Sequence, residues 1–375
     1  MLSSLKYLLK KYWGFMVLAI IINVPILVFC CYRTDKALIL KGDTVEFNAE
    51  VEVENSYETS GSFSTIYVLT MEHSTLFQNI LGKYDPEIEM YTMSSGEASI
   101  SYYDSYFASR IQYASSIAAS IIYAYLEAKN INTAINIDYE YIGAVITYHG
   151  ANSALEIGDR IVGIKKVSLD SDGNKLTDES GNYIYDSYID LSDTTAYLSA
   201  LKNTKSGDIW YLEDNSSINS NYKLAGSKEI REVTLEAGES MGWYGFYDID
   251  YDTLSPSVKF NSNNTGGPSG GLLQTLSIYN SLIEEDLTSG LRIAGTGTIS
   301  VSGKVGAIGG IKEKIPTAID DGIDVFFCPD ANYDDAYEKY TSIKGHNKMA
   351  LVKVSTFDDA IEYLRGLKEW DFLKA

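Results

Sequence analysis

The sequence predicts an α+β protein with one N-terminal transmembrane helix and a mostly β region in its middle. Three observations support this: an uncharged apolar run near the N-terminus, short strand-like segments on both sides of a helical stretch, and a final segment where strands and helices alternate. The alternation by itself fits either an α/β or an α+β core. The 375 residues, 45% apolar and 22% charged, can form two globular domains and an anchor.

The N-terminal apolar run is the clearest physical signal. Trp13 to Tyr32 contains no charged residue, and at about 1.5 Å per residue its length matches about 30 Å of hydrocarbon. Asn23 and Pro25 interrupt it, but single polar or proline positions are tolerated in spanning helices. The alternative is a cleaved signal peptide, which the length of the run and the absence of small residues in Phe29–Tyr32 disfavour.

The charges that flank this run predict its orientation. Lysines precede it at positions 6, 10 and 11, whereas Arg33 and Lys36 follow it. By the positive-inside rule, residues 1–12 are cytoplasmic, residues 13–32 span the cell membrane once, and the remainder is extracellular.

The region 33–130 predicts two strands and one long helix. The strands are expected at Val45–Val51 and Phe63–Leu69. Between Ser105 and Lys129 the apolar residues recur with helical spacing, and small residues on the same stripe predict close packing.

The region 131–238 predicts short strands, including Tyr141–Ile146 and Gly158–Ile164. A polar stretch at 169–188 contains the start of a calcium-loop pattern. Lys175 stands where that loop requires glycine and Gly181 stands where it requires glutamate, so a solvated hairpin and no metal site is expected.

The region 239–375 alternates strands and helices. We expect a strand at Val258–Phe260, a helix from Gly270 to Glu284, a strand from Leu291 to Ser300, a helix beginning near Lys312 and a strand at Asp324–Cys328.

Composition excludes two kinds of site. The formal net charge of −21 argues against binding a phosphate backbone, because nucleic-acid affinity depends on Lys and Arg. Cys30 and Cys31 lie in the apolar run and Cys328 is alone in the rest of the chain, so the soluble part has no disulfide framework.

Ser269 and Lys314 are the candidate catalytic residues. A serine hydroxyl needs a base, and the three histidines of the chain lie in no triad context. A lysine acts as a base when burial and a helix N-terminus favour its neutral form. The backbone at Gly266 and Gly267 is a candidate source of oxyanion-stabilising N–H groups.

Three motifs together resemble the proteolytic domain of Lon: Gly266–Leu272, Ile293–Ile299 and Gly303–Lys314. The resemblance implies that Ser269 is the nucleophile, Lys314 the general base and Thr296 a supporting residue near them. Gly270 and Ala307 depart from the family pattern without replacing a reacting group.

The middle region resembles a PDZ domain in its strand at Tyr141–Ile146 and its turn at Gly158–Ile161. That resemblance implies that Ile142, Gly143 and Ala144 bind a peptide carboxylate through their backbone amides.

Taken together, the chain resembles the membrane-anchored, PDZ-containing Lon-like proteases of Gram-positive bacteria, similar to the YlbL family. In Lon, the sheet and helix that precede the serine motif belong to the proteolytic domain. The resemblance therefore implies that the PDZ-like domain at 131–238 is inserted between the parts at 33–130 and 239–375.

The function implied is ATP-independent cleavage of extracytoplasmic peptides or unfolded protein segments, with no cofactor. The alternative is a catalytically silent, membrane-tethered PDZ protein that only binds peptides; the retained Ser and Lys argue against it. An α/β-hydrolase elbow is disfavoured because eight residues separate Phe260 from Ser269, and a P-loop because Val305 replaces the required Ser or Thr.

Overall fold

The computed structural model describes residues 2–47, 51–219, 222–227, 229–238, 240–261 and 266–374. Its helices are α1 (Leu2–Cys31), α2 (Leu76–Tyr84), α3 (Ser95–Ser99), α4 (Tyr102–Lys129), α5 (Thr194–Lys202), α6 (Gly271–Leu282), α7 (Ile311–Asp320), α8 (Tyr333–Ser342) and α9 (Phe357–Lys374). Helices and strands occur in both halves of the chain, so the predicted mixed class is confirmed.

The strands belong to two large sheets and three small ribbons. They are β1 (Lys36–Glu46), β2 (Val51–Val53), β3 (Ser62–Met71), β4 (Glu89–Thr92), β5 (Tyr139–His149), β6 (Arg160–Lys165), β7 (Ile189–Asp190), β8 (Ile209–Glu213), β9 (Ser217–Ile218), β10 (Leu224–Ala225), β11 (Ile230–Thr234), β12 (Met241–Ile249), β13 (Val258–Phe260), β14 (Arg292–Gly295), β15 (Thr298–Ile299), β16 (Val305–Gly306), β17 (Val325–Pro329) and β18 (Ala350–Val354).

The first sheet combines strands from the two ends of the chain. Its order is β18-β17-β14-β3-β1-β4. β14 runs parallel to β3 on one side and to β17 on the other, whereas β1 is antiparallel to β3 and β4. Although β3 and β14 are neighbours, the chain makes a long excursion between them: it leaves this sheet after Thr92 of β4 and returns to it at Arg292.

The second sheet lies within that excursion. Its order is β11-β8-β6-β5-β12, and all of these pairs are antiparallel. The two chain segments that lead into and out of it meet at Asn136 and Ser255, whose backbone groups exchange hydrogen bonds of 2.8 and 3.0 Å. Beyond this point β13 pairs with β2 in a separate two-stranded ribbon, and the chain rejoins the first sheet at β14.

Helix α4 joins the two sheets into one hydrophobic core. Ile117 and Ile121 of α4 lie in the same buried cluster as Val145 and Phe246 of the second sheet, and that cluster also includes Leu272 of α6. The second sheet is therefore packed against the rest of the protein and is not an independent module on a linker.

Helix α1 is longer than the predicted span of residues 13–32, because the helical backbone already includes Leu2 and ends at Cys31. Within it, Lys10–Cys31 is 22 residues long and is apolar enough to cross a membrane.

The boundaries of the other elements differ from the predictions in ways that have local causes. α4 begins at Tyr102 because Ser101 accepts a hydrogen bond from the Asp104 amide and caps the helix. The strand expected at Leu291–Ser300 is interrupted after Gly295: the Thr296 amide still donates to Phe327 of β17, but the Gly297 amide donates to the Ser269 carbonyl instead of continuing the ladder. Part of the strand expected at Val45–Val51 lies outside the described residues.

Candidate active site

Ser269 lies in the turn that leads into α6. The helix begins at Gly271, and its N-cap is Gly270, which makes no side-chain capping bond. The following leucines, Leu272 and Leu273, are fully buried, which fixes the start of the helix against the core. The nucleophile candidate therefore lies at the N-terminus of a helix that is anchored by apolar packing.

Two residues of the segment after β14 hold this turn in place. The Ser269 carbonyl accepts a hydrogen bond of 2.7 Å from the Gly297 amide and one of 3.0 Å from Thr296 Oγ1. In return, the Leu272 amide donates to the Gly297 carbonyl over 3.1 Å. The interruption of the predicted strand is thus what positions Ser269.

Lys314 extends from the first turn of α7 into the protein and is 1% exposed. Its Nζ lies 3.1 Å from Ser269 Oγ, 3.2 Å from Thr296 Oγ1 and 2.6 Å from the carbonyl oxygen of Ile66 on β3. The structure thereby brings together three of the residues singled out in the sequence.

Burial lowers the pKa of Lys314 from its ordinary 10.5 to about 7, because the ammonium form loses its hydration. Within the described ranges no carboxylate oxygen forms an ion pair with its Nζ. Near neutral pH a substantial fraction of this lysine is therefore an uncharged amine.

The hydrogen bonds around Nζ suit the neutral amine. Thr296 Oγ1 donates its own hydrogen to the Ser269 carbonyl, so toward Lys314 it is an acceptor. The ammonium form donates to all three oxygens, whereas the neutral amine can donate to the Ile66 carbonyl and Thr296 Oγ1 and turn its lone pair toward Ser269 Oγ. This geometry allows Lys314 to accept the hydroxyl proton of Ser269.

Ser269 borders a narrow cavity of about 30 Å³, large enough for a water molecule. A second, larger pocket of about 290 Å³ lies alongside and is lined by Pro268, Tyr244 and Lys304 among others. Ser116 of α4 lines both cavities, so the larger pocket adjoins the Ser269 cavity.

Gly266 and Gly267 lie beside this cavity, but the Gly267 amide is already engaged. It donates to the Ser109 carbonyl of α4 over 2.8 Å, and Gly266 lies against the Ser109 side chain. One of the two expected oxyanion donors, the Gly267 amide, therefore fixes the loop on α4. In the described part of the chain, the amides of Ser269 and Gly270 have no such acceptor and line the same cavity.

Two polar side chains of this cavity escaped the sequence analysis. Neither Thr65 Oγ1 nor Gln274 Nε2 has a hydrogen-bond partner among the described residues, and both residues are buried. Gln274 carried a signal, since it is a polar residue within an apolar helical run. Thr65 and the Ile66 carbonyl carried none, because a strand residue reveals its function only through its neighbours.

Glu313, next to Lys314, was also not anticipated. It is 5% exposed, and burial together with the nearby Glu89 carboxylate raises its pKa to about 7. In the ranges that the structure describes, no group of three or more His, Cys, Asp or Glu side chains is arranged to hold a metal ion.

Ile142, Gly143 and Ala144 lie inside strand β5, so the strand expected at Tyr141–Ile146 is confirmed. They face β12 along one edge, where Gly143 pairs with Phe246, and β6 along the other, where Ala144 pairs with Ile161. The Ala144 amide also donates to the Tyr197 hydroxyl over 3.2 Å. These residues are remote in the chain from Ser269. Their backbone groups are occupied by sheet pairing and by the Tyr197 hydroxyl.

Comparison with known proteins identifies the last part of the chain. Residues 261–365 match the model of the Lon protease (S16) C-terminal proteolytic domain, so the prediction of a Lon-type proteolytic domain is confirmed for this segment. The Lon protease of Neorickettsia sennetsu is 34% identical over 106 residues, which are 28% of this chain and 12% of that protein.

Two further Lon proteases give similar matches. That of Campylobacter jejuni is 35% identical over 97 residues, or 26% of this chain and 12% of its own length. That of Clostridium acetobutylicum is 32% identical over 129 residues, or 34% of this chain and 16% of its own length. The chain therefore spans less than a fifth of the length of these relatives.

The buried amine predicts an unusual dependence of stability on pH. The unfolded chain holds the Lys314 proton up to about pH 10.5 but the folded chain only up to about 7, so stability should rise with pH between these values. Lys314→Met removes this pH-dependent contribution to the free energy of unfolding. The difference in free energy of unfolding by which the Met variant exceeds wild type should therefore shrink by up to about 1.4 kcal/mol per pH unit above neutrality. The thermal midpoints of both proteins at several pH values follow this difference.

Lys312→Met is the matched control on the same helix. Lys312 is partly exposed, and its hydrogen bonds to Asp335 and Glu338 raise its pKa. Its difference from wild type should stay constant between pH 7 and 9. A constant difference for Lys314→Met as well would show that Lys314 is charged throughout that range.

Substitution of Gly143 is expected to affect stability rather than peptide binding. Its φ is +123°, and an added Cβ would lie 2.7 Å from the Ile161 carbonyl oxygen. Gly143→Ala should therefore lower the free energy of unfolding by about 1–3 kcal/mol, whereas Gly150→Ala, where a Cβ meets only ordinary contacts, should change it little. An unchanged thermal midpoint for Gly143→Ala, together with weaker peptide binding, would instead support the hypothesis that this segment binds a peptide carboxylate.

Proposed function

We propose that this protein is a membrane-anchored serine endopeptidase that works without ATP and cleaves extracytoplasmic peptides or unfolded protein segments. The observation that carries the proposal is the 3.1 Å approach of the buried Lys314 amine to Ser269 Oγ. The Lon-type proteolytic domain at 261–365 supports the same reaction class.

In the proposed mechanism Ser269 is the nucleophile and Lys314 the general base. The neutral amine takes the hydroxyl proton as Oγ attacks the carbonyl carbon of the substrate. The resulting ammonium then donates that proton to the leaving amine, and an acyl-enzyme remains on Ser269. A water molecule activated by Lys314 hydrolyses the ester and restores the serine. Thr296 supports both steps by orienting Nζ and the Ser269 carbonyl.

We place the oxyanion at the N-terminus of α6 rather than at Gly266 and Gly267. The amides of Ser269 and Gly270 border the nucleophile cavity, and the partial positive charge of the helix N-terminus favours a developing negative charge. This placement is supported by the engagement of the Gly267 amide with Ser109.

The narrow opening beside Ser269 favours extended substrates. The cavity at Ser269 measures only about 30 Å³, and the adjoining pocket of about 290 Å³ offers room for one substrate side chain. This arrangement supports peptides or unfolded segments, rather than folded surfaces, as substrates.

The anchor and its orientation are part of the proposal. Lys10–Cys31 supports a single-pass helix, and the lysines at 6, 10 and 11 support a cytoplasmic N-terminus. The catalytic part would then lie outside the cell membrane.

For the middle region we propose a PDZ-like domain, inserted into the proteolytic fold, that recruits substrate. The parallel pairing of β3 with β14 and the contact of Asn136 with Ser255 support the insertion. Because β12 covers one edge of β5, a peptide would have to add to another strand edge of the second sheet.

Substitution of the two proposed catalytic residues should abolish activity. Ser269→Ala, Lys314→Met and Lys314→Arg should each lower cleavage of casein, an unstructured protein, by at least about 100-fold. Arginine should fail because its guanidinium stays protonated. In wild type, the rate should rise as pH passes through about 7, where the ammonium loses its proton, and added ATP should not change it.

The control is Lys312→Met, which removes a partly exposed lysine two positions before Lys314. This variant should cleave casein at the wild-type rate. A fluorophosphonate reagent should label wild type on Ser269, with labelling strongly reduced in both Lys314 variants. Full labelling of Lys314→Met would refute the role of this lysine, and labelling at another serine would refute that of Ser269.

The orientation predicts which side of the membrane is accessible. A protease added to intact cells should degrade the region after Arg33, whereas an epitope tag fused before Met1 should be protected until the cells are lysed. The reverse pattern would place the catalytic part in the cytoplasm.

A further inference from the structure

Helix α2 carries an apolar stripe that faces away from the protein. Phe77, Ile80, Leu81 and Tyr84 are 44%, 45%, 49% and 77% exposed. Their spacing of three, four and seven positions places them on one face of the helix. A helix of a soluble domain normally buries such a stripe.

The opposite face of α2 is the one that packs on the protein. Gly82 is buried, and an added Cβ there would lie 2.8 Å from Leu38 of β1. Gln78 accepts from the Thr75 amide over 2.7 Å, and Asn79 donates to Thr34 Oγ1 over 3.0 Å. These contacts hold the helix with its polar side inward and its apolar stripe outward.

The stripe lies at the end of the candidate membrane span. The ring of Phe77 is 5.9 Å from that of Phe29, which lies in the last turn of α1. The backbone continues the contact, because the Leu76 amide donates to the Tyr32 carbonyl and Arg33 bridges to Thr75. α2 therefore begins where α1 ends.

A group of exposed tyrosines flanks the same place. Tyr102, Tyr103 and Tyr106, at the start of α4, are 82%, 67% and 43% exposed. Ser105, among them, donates to Glu72 over 2.7 Å. The neighbour of Glu72, His73, accepts from Arg33 through its carbonyl, directly after α1. Tyrosine is enriched at membrane–water boundaries because it has an apolar body and a polar tip.

We propose that the apolar stripe of α2 and this tyrosine group dock on the headgroup and acyl boundary of the bilayer that α1 crosses. The inference rests on the proposed anchoring. It adds that the globular part is held against the membrane by a second, interfacial contact. Lys83 is the only basic residue of α2, and Asp85 and Glu87 follow it, so the contact is apolar and zwitterionic lipid suffices.

The test uses the full-length chain in phosphatidylcholine nanodiscs whose lipids are brominated high on the acyl chains, where an interfacial side chain reaches. Phe77→Trp and Tyr84→Trp are made separately in a Trp13→Phe parent, whose remaining tryptophans give the background. Tyr84 is largely exposed, so its replacement does not endanger the fold. Brominated lipid should quench each new tryptophan about twofold relative to plain lipid.

Ile230→Trp in the same parent is the control. Ile230 is 60% exposed but lies on the edge strand β11 of the second sheet, and its tryptophan should be unaffected by bromine. Native Trp13, in α1, reports the anchor itself. Quenching of Trp13 without quenching at positions 77 and 84 would overturn the docking surface alone, whereas no quenching of Trp13 would refute the anchor.

A second copy of the chain is the rival occupant of the stripe. In that case the tryptophans at 77 and 84 would be shielded from acrylamide, a water-soluble quencher, and would at the same time be unaffected by brominated lipid. That result would overturn docking on lipid.

Discussion

The burial of the Lys314 amine is the constraint on which the rest of the structure depends. Its Nζ is held by the Ile66 carbonyl, Thr296 and Ser269, which come from β3, the segment after β14 and the turn before α6. Removing an ammonium from water is costly, so the surrounding elements must be rigid enough to keep it there. The same burial lowers the pKa of the lysine, so that its neutral form, with a lone pair able to accept a proton, is populated near neutral pH.

Helix α4 connects this centre to the second sheet through small hydroxyl side chains. Ser115 donates to the Gly245 carbonyl of β12, whereas Ser116 and Ser120 donate to the carbonyls of Pro268 and Gly271 on the two sides of the nucleophile. All three serines are buried. A shift of β12 would therefore reach the turn that carries Ser269 through one rigid helix. This connection is a physical route by which the second sheet can affect the position of Ser269.

Local sequence patterns predicted where the helices and strands lie, but they did not predict which elements pack or pair with each other. The stripe of α4, the run of α1 and the motifs around Ser269 and Lys314 depend on neighbours in sequence, and helices and strands occur at these places. The strand expected at Tyr141–Ile146 also forms, but the sequence did not show which strands pair with Ile142, Gly143 and Ala144. Here β6 and β12 occupy both of its edges.

By itself, the sequence determined the mixed helix-and-strand class, the apolar N-terminal helix and the Lon-type domain within 239–375, of which residues 261–365 match the family. Only the tertiary structure decided that the Gly267 amide bonds to Ser109, that the Ile66 carbonyl and the unpaired side chains of Thr65 and Gln274 surround the serine, and that the stripe of α2 faces outward. The physical reason is that hydrogen-bond partners and burial are set by residues distant in the chain. A sequence shows which groups are present, but their surroundings decide which of them remain free to react.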